Sequence, residues 1–348
     1  MRSLQELVRP NIISLKPYSS ARDEFTGEAS VYLDANESPY NAPYNRYPDP
    51  YQRKLKQKIS ELKQVEVDQI FLGNGSDEPI DLLIKAFCTP GIDNIISIEP
   101  TYRMYQVAAD INCIEVKRIP LTAGFDLDTN ALLKAADSKS KLLFICSPNN
   151  PTGNSFVQED ILNIIINFQG IVVLDEAYID FSSRQSCLKM LHRHPNLVIL
   201  QTFSKAWGLA GLRLGMAFAS AEIVAILNKI KYPYNINILT QEKVLEMLAD
   251  SERTSHWVKT TIAERRRMEH ELSQLPIVTK VHPSDANFLL ISTTDANGLY
   301  NFLVNHKIIV RNRSSIALCH NCIRITIGSA AENHQLMAAI KQYQPVKR

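Results

Sequence analysis

The stretch Leu197-Val198-Ile199-Leu200-Gln201-Thr202-Phe203-Ser204-Lys205 decides the fold. Its first part is a short apolar run, rich in β-branched side chains. It gives way to a hydroxyl and an amine. A run of this length and composition reads as a strand buried on both faces. The polar residues after it then stand at the strand's carboxyl end.

Working outward, the same pattern recurs. Candidate strands cover residues 69–72, 94–98, 113–118, 141–146, 171–174, 197–202 and 214–219. Amphipathic helical segments lie between them, for example 78–88, 128–136 and 159–168. Strands alternating with helices predict an α/β fold: a mostly parallel seven-stranded sheet with helices on both faces. A periodic stretch from 238 to about 275 reads as one long helix or two. Short strands at 278–281, 287–290, 308–311 and 323–327, mixed with two helices, predict a smaller α+β unit. The expected division is an N-terminal arm over 1–45, counted with the small unit, a large domain over 46–235 and a small domain over 236–348.

Composition narrows the function. The chain has 348 residues, enough for about two domains, and a formal net charge of +2, which gives no electrostatic footprint for nucleic acid. The Arg265-Arg266-Arg267 run reads as a solvated helix face. Glu6, Arg9, Pro10 and Asn11 interrupt the place where a signal peptide would carry its apolar segment. No apolar run is long enough to span a bilayer. Six scattered cysteines in a long chain suggest reduced thiols. The expectation is a soluble cytoplasmic protein with no membrane or nucleic-acid partner.

In an open α/β sheet, ligands bind beyond the carboxyl ends of the strands. Four strands deliver chemistry there. The first is followed by Gly73-Asn74-Gly75-Ser76-Asp77-Glu78, where a helix start could cradle an anion, or where the chain merely turns. Another is followed by Asn149-Asn150-Pro151-Thr152-Gly153, a turn by composition. A third ends in Asp175-Glu176-Ala177-Tyr178. Asp175 could pair a pyridinium nitrogen, hold a metal or cap the next helix. Lys205, beside Ser204 and Trp207, is either a desolvated nucleophilic amine or a lysine that snorkels to water.

Several chemistries are disfavoured. Glu78 stands where a dinucleotide fingerprint needs its third glycine, and there is no G-x-x-x-x-G-K-[ST] loop. Cys319-His320-Asn321-Cys322 has no second C-x-x-C pair to complete a zinc site. Eight histidines form no H-E-x-x-H pattern, and no G-x-S-x-G elbow occurs. No metal is expected.

Taken together, Asn150-Pro151-Thr152-Gly153, Asp175-Glu176-Ala177-Tyr178, Ser204-Lys205 and Gly211-Leu212-Arg213-Leu214-Gly215, in this order, resemble the fold-type-I pyridoxal-phosphate aminotransferases. The resemblance runs from about Leu15 to Gly328. Finer features resemble the branch of that family acting on histidinol phosphate in histidine biosynthesis. These are Leu15-Lys16-Pro17-Tyr18, Leu33-Asp34-Ala35-Asn36-Glu37, Arg46-Tyr47-Pro48-Asp49-Pro50, Gly75-Ser76-Asp77-Glu78, Pro100-Thr101-Tyr102 and Cys322-Ile323-Arg324-Ile325-Thr326. Arg311 lies thirteen residues before Arg324, a spacing similar to the family's pair of substrate arginines. Arg103 and Ser76 depart from residues common among relatives.

The resemblance implies pyridoxal 5'-phosphate as cofactor and Lys205, Asp175 and Tyr102 as catalytic residues. Lys205 would bond the cofactor aldehyde and later shuttle a proton. Asp175 would pair with the pyridine nitrogen, Tyr102 would stack on the ring, and Asn150 and Tyr178 would bond its phenolate oxygen. The backbone of Ser76, Asp77 and Glu78, with Ser204 and Arg213, would hold the phosphate, the Asp77 and Glu78 side chains turning away. Tyr47 would reach the same phosphate across a homodimer interface. Tyr18, Asn36, Arg311 and Arg324 would meet the substrates, histidinol phosphate and 2-oxoglutarate or glutamate. An aromatic amino-acid aminotransferase or a phosphothreonine decarboxylase would share the cofactor residues. A catalytically silent cofactor-binding regulator, the remote alternative, often carries a DNA-binding unit ahead of such a fold, for which the arm is too short.

Overall fold

The computed structural model describes residues 2–19, 21–25 and 29–344, without the side chains of residues 23 and 24. Seven strands form the large sheet: β1 (Ile70–Asn74), β2 (Asn94–Glu99), β3 (Glu115–Pro120), β4 (Ser140–Cys146), β5 (Ile171–Asp175), β6 (Leu197–Thr202) and β7 (Leu214–Phe218). Their order is β1-β7-β6-β5-β4-β2-β3. Strands β3, β2, β4, β5 and β6 pair in parallel, and β7 runs antiparallel to both β1 and β6. The expected α/β architecture is therefore present. The third strand starts two residues later than expected. Cys113 takes a positive φ of 54°, which belongs to the turn after helix Met104–Ile111 and breaks the extended run.

The apolar runs are explained by burial on both faces. Along β5, Val172 and Leu174 enter one core, while Ile171 and Val173 enter the other. Along β4, Leu143 and Ile145 alternate in the same way with Leu142 and Phe144. This is the period of two that a pleated strand imposes. Each fully buried Leu or Ile contributes about 1.5–3 kcal/mol relative to exposure. Two layers of such residues hold the strand ends, and whatever they carry, in fixed register.

The second sheet has strands β8 (Val278–Val281), β9 (Phe288–Thr293), β10 (Arg311–Asn312) and β11 (Cys322–Thr326), ordered β10-β11-β9-β8 and antiparallel throughout. Helices Ala296–Asn305 and Ala330–Gln342 pack on it through Leu299, Leu303, Leu336 and Ile340. The periodic stretch before it is two helices, Ile238–Leu248 and Ser251–Ser273, broken where Asp250 caps the second by accepting from the Arg253 N–H. The strand expected over 308–311 shrinks to two residues because Lys307 turns with φ 62° after helix Ala296–Asn305.

Two expectations are corrected. The start of the arm does not go with the small unit. Leu7, Val8 and Ile12 join the core on the large sheet, and the Arg9 N–H donates to the Ala86 carbonyl at 3.0 Å. The Arg2 guanidinium donates to the Ser138 and Ser140 carbonyls at 2.8 and 2.6 Å. The apolar face of this short segment gains more from the existing core than from solvent. The arginine run is not wholly a solvated face either. Arg265 is buried and donates to the Ala286 carbonyl at 2.6 Å, while Arg267 pairs with Glu264 and Glu271. Among the described residues no helix is long and apolar enough to cross a membrane. The six cysteines are free thiols.

Candidate active site

The loop after β1 turns tightly because Gly75 adopts φ +67° and its N–H donates to the Arg213 carbonyl at 2.8 Å. Helix Asp77–Phe87 then starts with Ser76 as N-cap. A Cβ on Gly75 would lie 2.5 Å from an Arg213 terminal nitrogen. A Cβ on Gly215, across in β7, would overlap the Gly75 and Ser76 backbone. Both glycines leave the helix start and the guanidinium side by side. Free N–H groups, a helix dipole and an arginine together make a cradle for a phosphate.

The two acids of this loop part company. The Glu78 side chain turns back, accepting the Asn74 N–H at 2.6 Å and the Asn235 side-chain N–H at 3.2 Å, as expected. Asp77 does not turn away. Its carboxylate faces the cavity, accepting from the Tyr102 hydroxyl at 3.0 Å and pairing with Arg213 at 3.4 Å. A free guanidinium in reach is a better partner than water, so the expected orientation is corrected.

At the end of β5, Asp175 is only 2% exposed. Burial raises its pKa, opposed by hydrogen bonds from the Tyr105 hydroxyl at 2.6 Å and the Ala177 N–H at 3.0 Å. A buried carboxylate of this kind is poised for a cationic partner. The loop after β4 brings Asn150, whose side-chain N–H donates to the Tyr178 hydroxyl at 3.4 Å. Arg324 on β11 donates to the Asn150 side-chain oxygen and so connects the small sheet to the large one.

Lys205 follows β6. Its amine stands 5.6 Å from the centre of the Tyr178 ring. Buried Phe203 and Trp207, packed edge to face, fix the chain on either side. The side chain keeps contact with solvent through the cleft. Even so, desolvation by the surrounding protein lowers its pKa, and Arg324 adds to the effect. Ser204 accepts a hydrogen bond from the Thr202 hydroxyl at 3.0 Å, which orients it at the strand end.

Ser76, Asp77, Tyr102, Asn150, Asp175, Tyr178, Ser204, Lys205 and Arg213 thus line one cavity. A planar pyridine with a phosphate tail matches this donor set. The anion cradle lies at one side, the carboxylate at another, and the amine near the Tyr178 ring. Cys146, Ala177, Thr202 and Ala210 also line the cavity and were not anticipated, nor was Tyr105 behind Asp175. One signal for Tyr105 was available: a tyrosine on the buried face of a helix, three residues after Tyr102, needs a partner for its hydroxyl.

The substrate candidates are less gathered. Arg324 is half-buried against Asn150, and Arg311 is exposed directly opposite it in the β10–β11 ladder. Tyr18 and Asn36 are exposed on the arm and do not line the cavity. Tyr47 stacks on Tyr234 at 4.4 Å, also outside it. Glu37, in the same motif as Asn36, accepts from Arg46 at 2.7 Å, from Arg22 at 2.5 Å and from the Tyr47 N–H at 2.7 Å. Burial alone would raise the Glu37 pKa, and these donors outweigh it and hold it at about 2. Arg103 is exposed and faces a neighbouring groove beside Gln106 and Arg118.

The chain is similar to known proteins along nearly its whole length. A histidinol-phosphate aminotransferase of Parabacteroides distasonis is 57% identical over 341 residues, covering 98% of this chain and 99% of the relative. The enzyme of that name from Bacteroides fragilis is 56% identical over 345 residues, covering 99% and 100%. Among solved structures, the histidinol-phosphate aminotransferase of Clostridium acetobutylicum superposes with a TM-score of 0.79 at 24% identity, covering 86% of this chain and 90% of that one. The Sinorhizobium meliloti enzyme of the same name, in complex with pyridoxal-5'-phosphate, gives 0.79 at 22% identity over 88% and 89%. The family model for aminotransferase class I and II matches residues 30–340, and the chain belongs to that family.

Proposed function

We propose that this chain is a pyridoxal-phosphate-dependent aminotransferase that moves an amino group between L-histidinol phosphate and 2-oxoglutarate. The products are imidazole acetol phosphate and L-glutamate, a step of histidine biosynthesis. The observation that carries the reading is near-full-length identity of 57% to a histidinol-phosphate aminotransferase, in a chain whose cavity gathers Lys205, Asp175 and the Arg213 cradle.

When bound, the cofactor supplies a protonated pyridine ring that takes up the electron pair left as the substrate's Cα proton departs. The chain does the rest. Lys205 would hold the cofactor and then carry the substrate's Cα proton, a task suited to an amine of lowered pKa. Asp175 would hold the ring nitrogen in its protonated form. Asn150 and Tyr178 would hold the ring's phenolate oxygen, and Tyr102 would pack against the ring. The Ser76, Asp77 and Glu78 N–H groups, Ser204 and Arg213 would hold the phosphate, a stronger anion for Arg213 than its present partner Asp77.

Histidinol phosphate carries a phosphate and no carboxylate, whereas glutamate carries two carboxylates. Arg324 and Arg311 suit both, because a guanidinium fork binds either anion. Tyr18 and Asn36 are the arm residues assigned to the entering substrate. Tyr47 serves the phosphate of a second subunit, so the working form is a homodimer. The free thiols fit a cytoplasmic location. The test is the purified protein with histidinol phosphate and 2-oxoglutarate. Stoichiometric glutamate supports the reading. No glutamate, with ready turnover of an aromatic amino acid or release of carbon dioxide from phosphothreonine, overturns it.

A further inference from the structure

We propose that Arg313 is a third anion-binding residue of the substrate site, one that favours a doubly charged phosphate over a carboxylate. This rests on the functional reading above.

The β10–β11 hairpin sets the geometry. Arg311 stands directly opposite Arg324 in the ladder, so their side chains share a face of the sheet. The Arg313 N–H donates to the Cys322 carbonyl at 2.8 Å, which keeps the pairing going past Asn312. Arg313 is two residues on from Arg311, and alternation returns it to that same face. The electrostatics agree: Arg313 and Arg324 both interact with Tyr178, at the wall of the cofactor cavity.

Three guanidinium groups therefore share one place, and among the described residues no carboxylate pairs with them. Burial lowers the Arg313 pKa to about 10, and repulsion from Arg324 and Arg311 adds to it. The groups that favour its charge are the neutral Cys319 thiol and Tyr178 phenol. Its Nε is buried with no hydrogen-bond partner among the described residues. Arg324 donates to an amide oxygen, that of Asn150. Two half-buried like charges beside an exposed third, with neutral partners, are costly, and the cost is relieved by an anion. At equal distance a dianion gains twice what a monoanion gains from each cation. Arg311 and Arg324 are enough for a carboxylate. The third cation matters most for the phosphate of the phosphorylated amine.

The experiment uses the cofactor-loaded enzyme with Arg313→Gln and Arg313→Lys. Each half-reaction is followed separately by cofactor absorbance, once with histidinol phosphate and once with glutamate. For Arg313→Gln, the half-saturating concentration of histidinol phosphate should rise about tenfold or more, the scale of one charge-assisted hydrogen bond. That for glutamate should rise less than about threefold, and the rate at saturation should stay within about threefold for both. Inhibition by inorganic phosphate should weaken in parallel, and Arg313→Lys, which restores the charge, should recover part of the loss. Equal changes for both substrates, or no change for either, would overturn the proposal. If the wild type ignores histidinol phosphate, the functional reading fails. Phosphate inhibition of the amino donor it does use then still decides the role of Arg313.

Discussion

The Tyr105 hydroxyl donates to the Asp175 carboxylate at 2.6 Å, behind the cavity and out of reach of solvent. Asp175 is caught between burial, which favours its neutral form, and this bond, which favours the charged one. Removing the donor lets burial win. Tyr105→Phe should weaken cofactor binding about tenfold, the scale of a hydrogen bond to a charged group. Titration of the cofactor-free protein with pyridoxal phosphate measures it. An affinity within about twofold of wild type would make Tyr105 a packing residue only.

Gly75 tests the anion cradle. Alanine there must hold φ +67°, which costs about 1–2 kcal/mol, and its Cβ must displace the Arg213 guanidinium. Gly75→Ala should lower thermal stability modestly and cofactor affinity by about tenfold or more, through the lost charge-assisted bond. Normal affinity would move the phosphate elsewhere.

Lys205 has a depressed pKa, caused first by desolvation and then by Arg324. In the cofactor-free protein its amine should therefore react with acetic anhydride at lower pH than ordinary lysines do. Arg324→Ala should move that profile upward. The sign for stability follows from linkage. Between the lowered folded pKa and the ordinary unfolded value, the unfolded chain binds more protons, so this group's penalty fades as pH rises through that window. A profile matching exposed lysines, read by mass spectrometry peptide by peptide, would contradict the site's electrostatics.

Glu37 ties Arg22, Arg46 and the Tyr47 N–H together, with its pKa held at about 2. A depressed carboxylate stabilises above its unfolded pKa, and that contribution is lost as pH falls from about 4.3 through the folded value. Glu37→Gln should loosen the arm at neutral pH, where the native carboxylate is charged. Limited proteolysis should then cut between residues 21 and 47 faster than in wild type. An unchanged cutting rate would remove Glu37 as the fastener of Tyr47.

What the sequence disclosed follows from physical range. Strands such as β5 and β6 were legible because burial on both faces leaves a continuous apolar run, and the residues just past them must stand at the sheet edge. Lys205, Asp175 and Asn150 were found that way. Tyr105 was not, because a tyrosine on a helix face looks like packing until the strand it covers is known. The orientation of Asp77 depended on Arg213, distant in sequence and adjacent only after β7 pairs with β1. The docking of the arm on the large sheet was misread for the same reason: Leu7 and Ile12 show an apolar face but not which core receives it. Arg313 drew no notice beside the spaced pair Arg311 and Arg324, since alternation along a two-residue strand is invisible without its register.

The central claim is that the amine after β6 bears the cofactor. Reduction of the cofactor-loaded protein with borohydride, followed by peptide mapping, fixes the cofactor to the residue that holds it. The account predicts the label on Lys205 and none on protein carrying Lys205→Ala. A label on any other lysine, or full labelling of the variant, would contradict it.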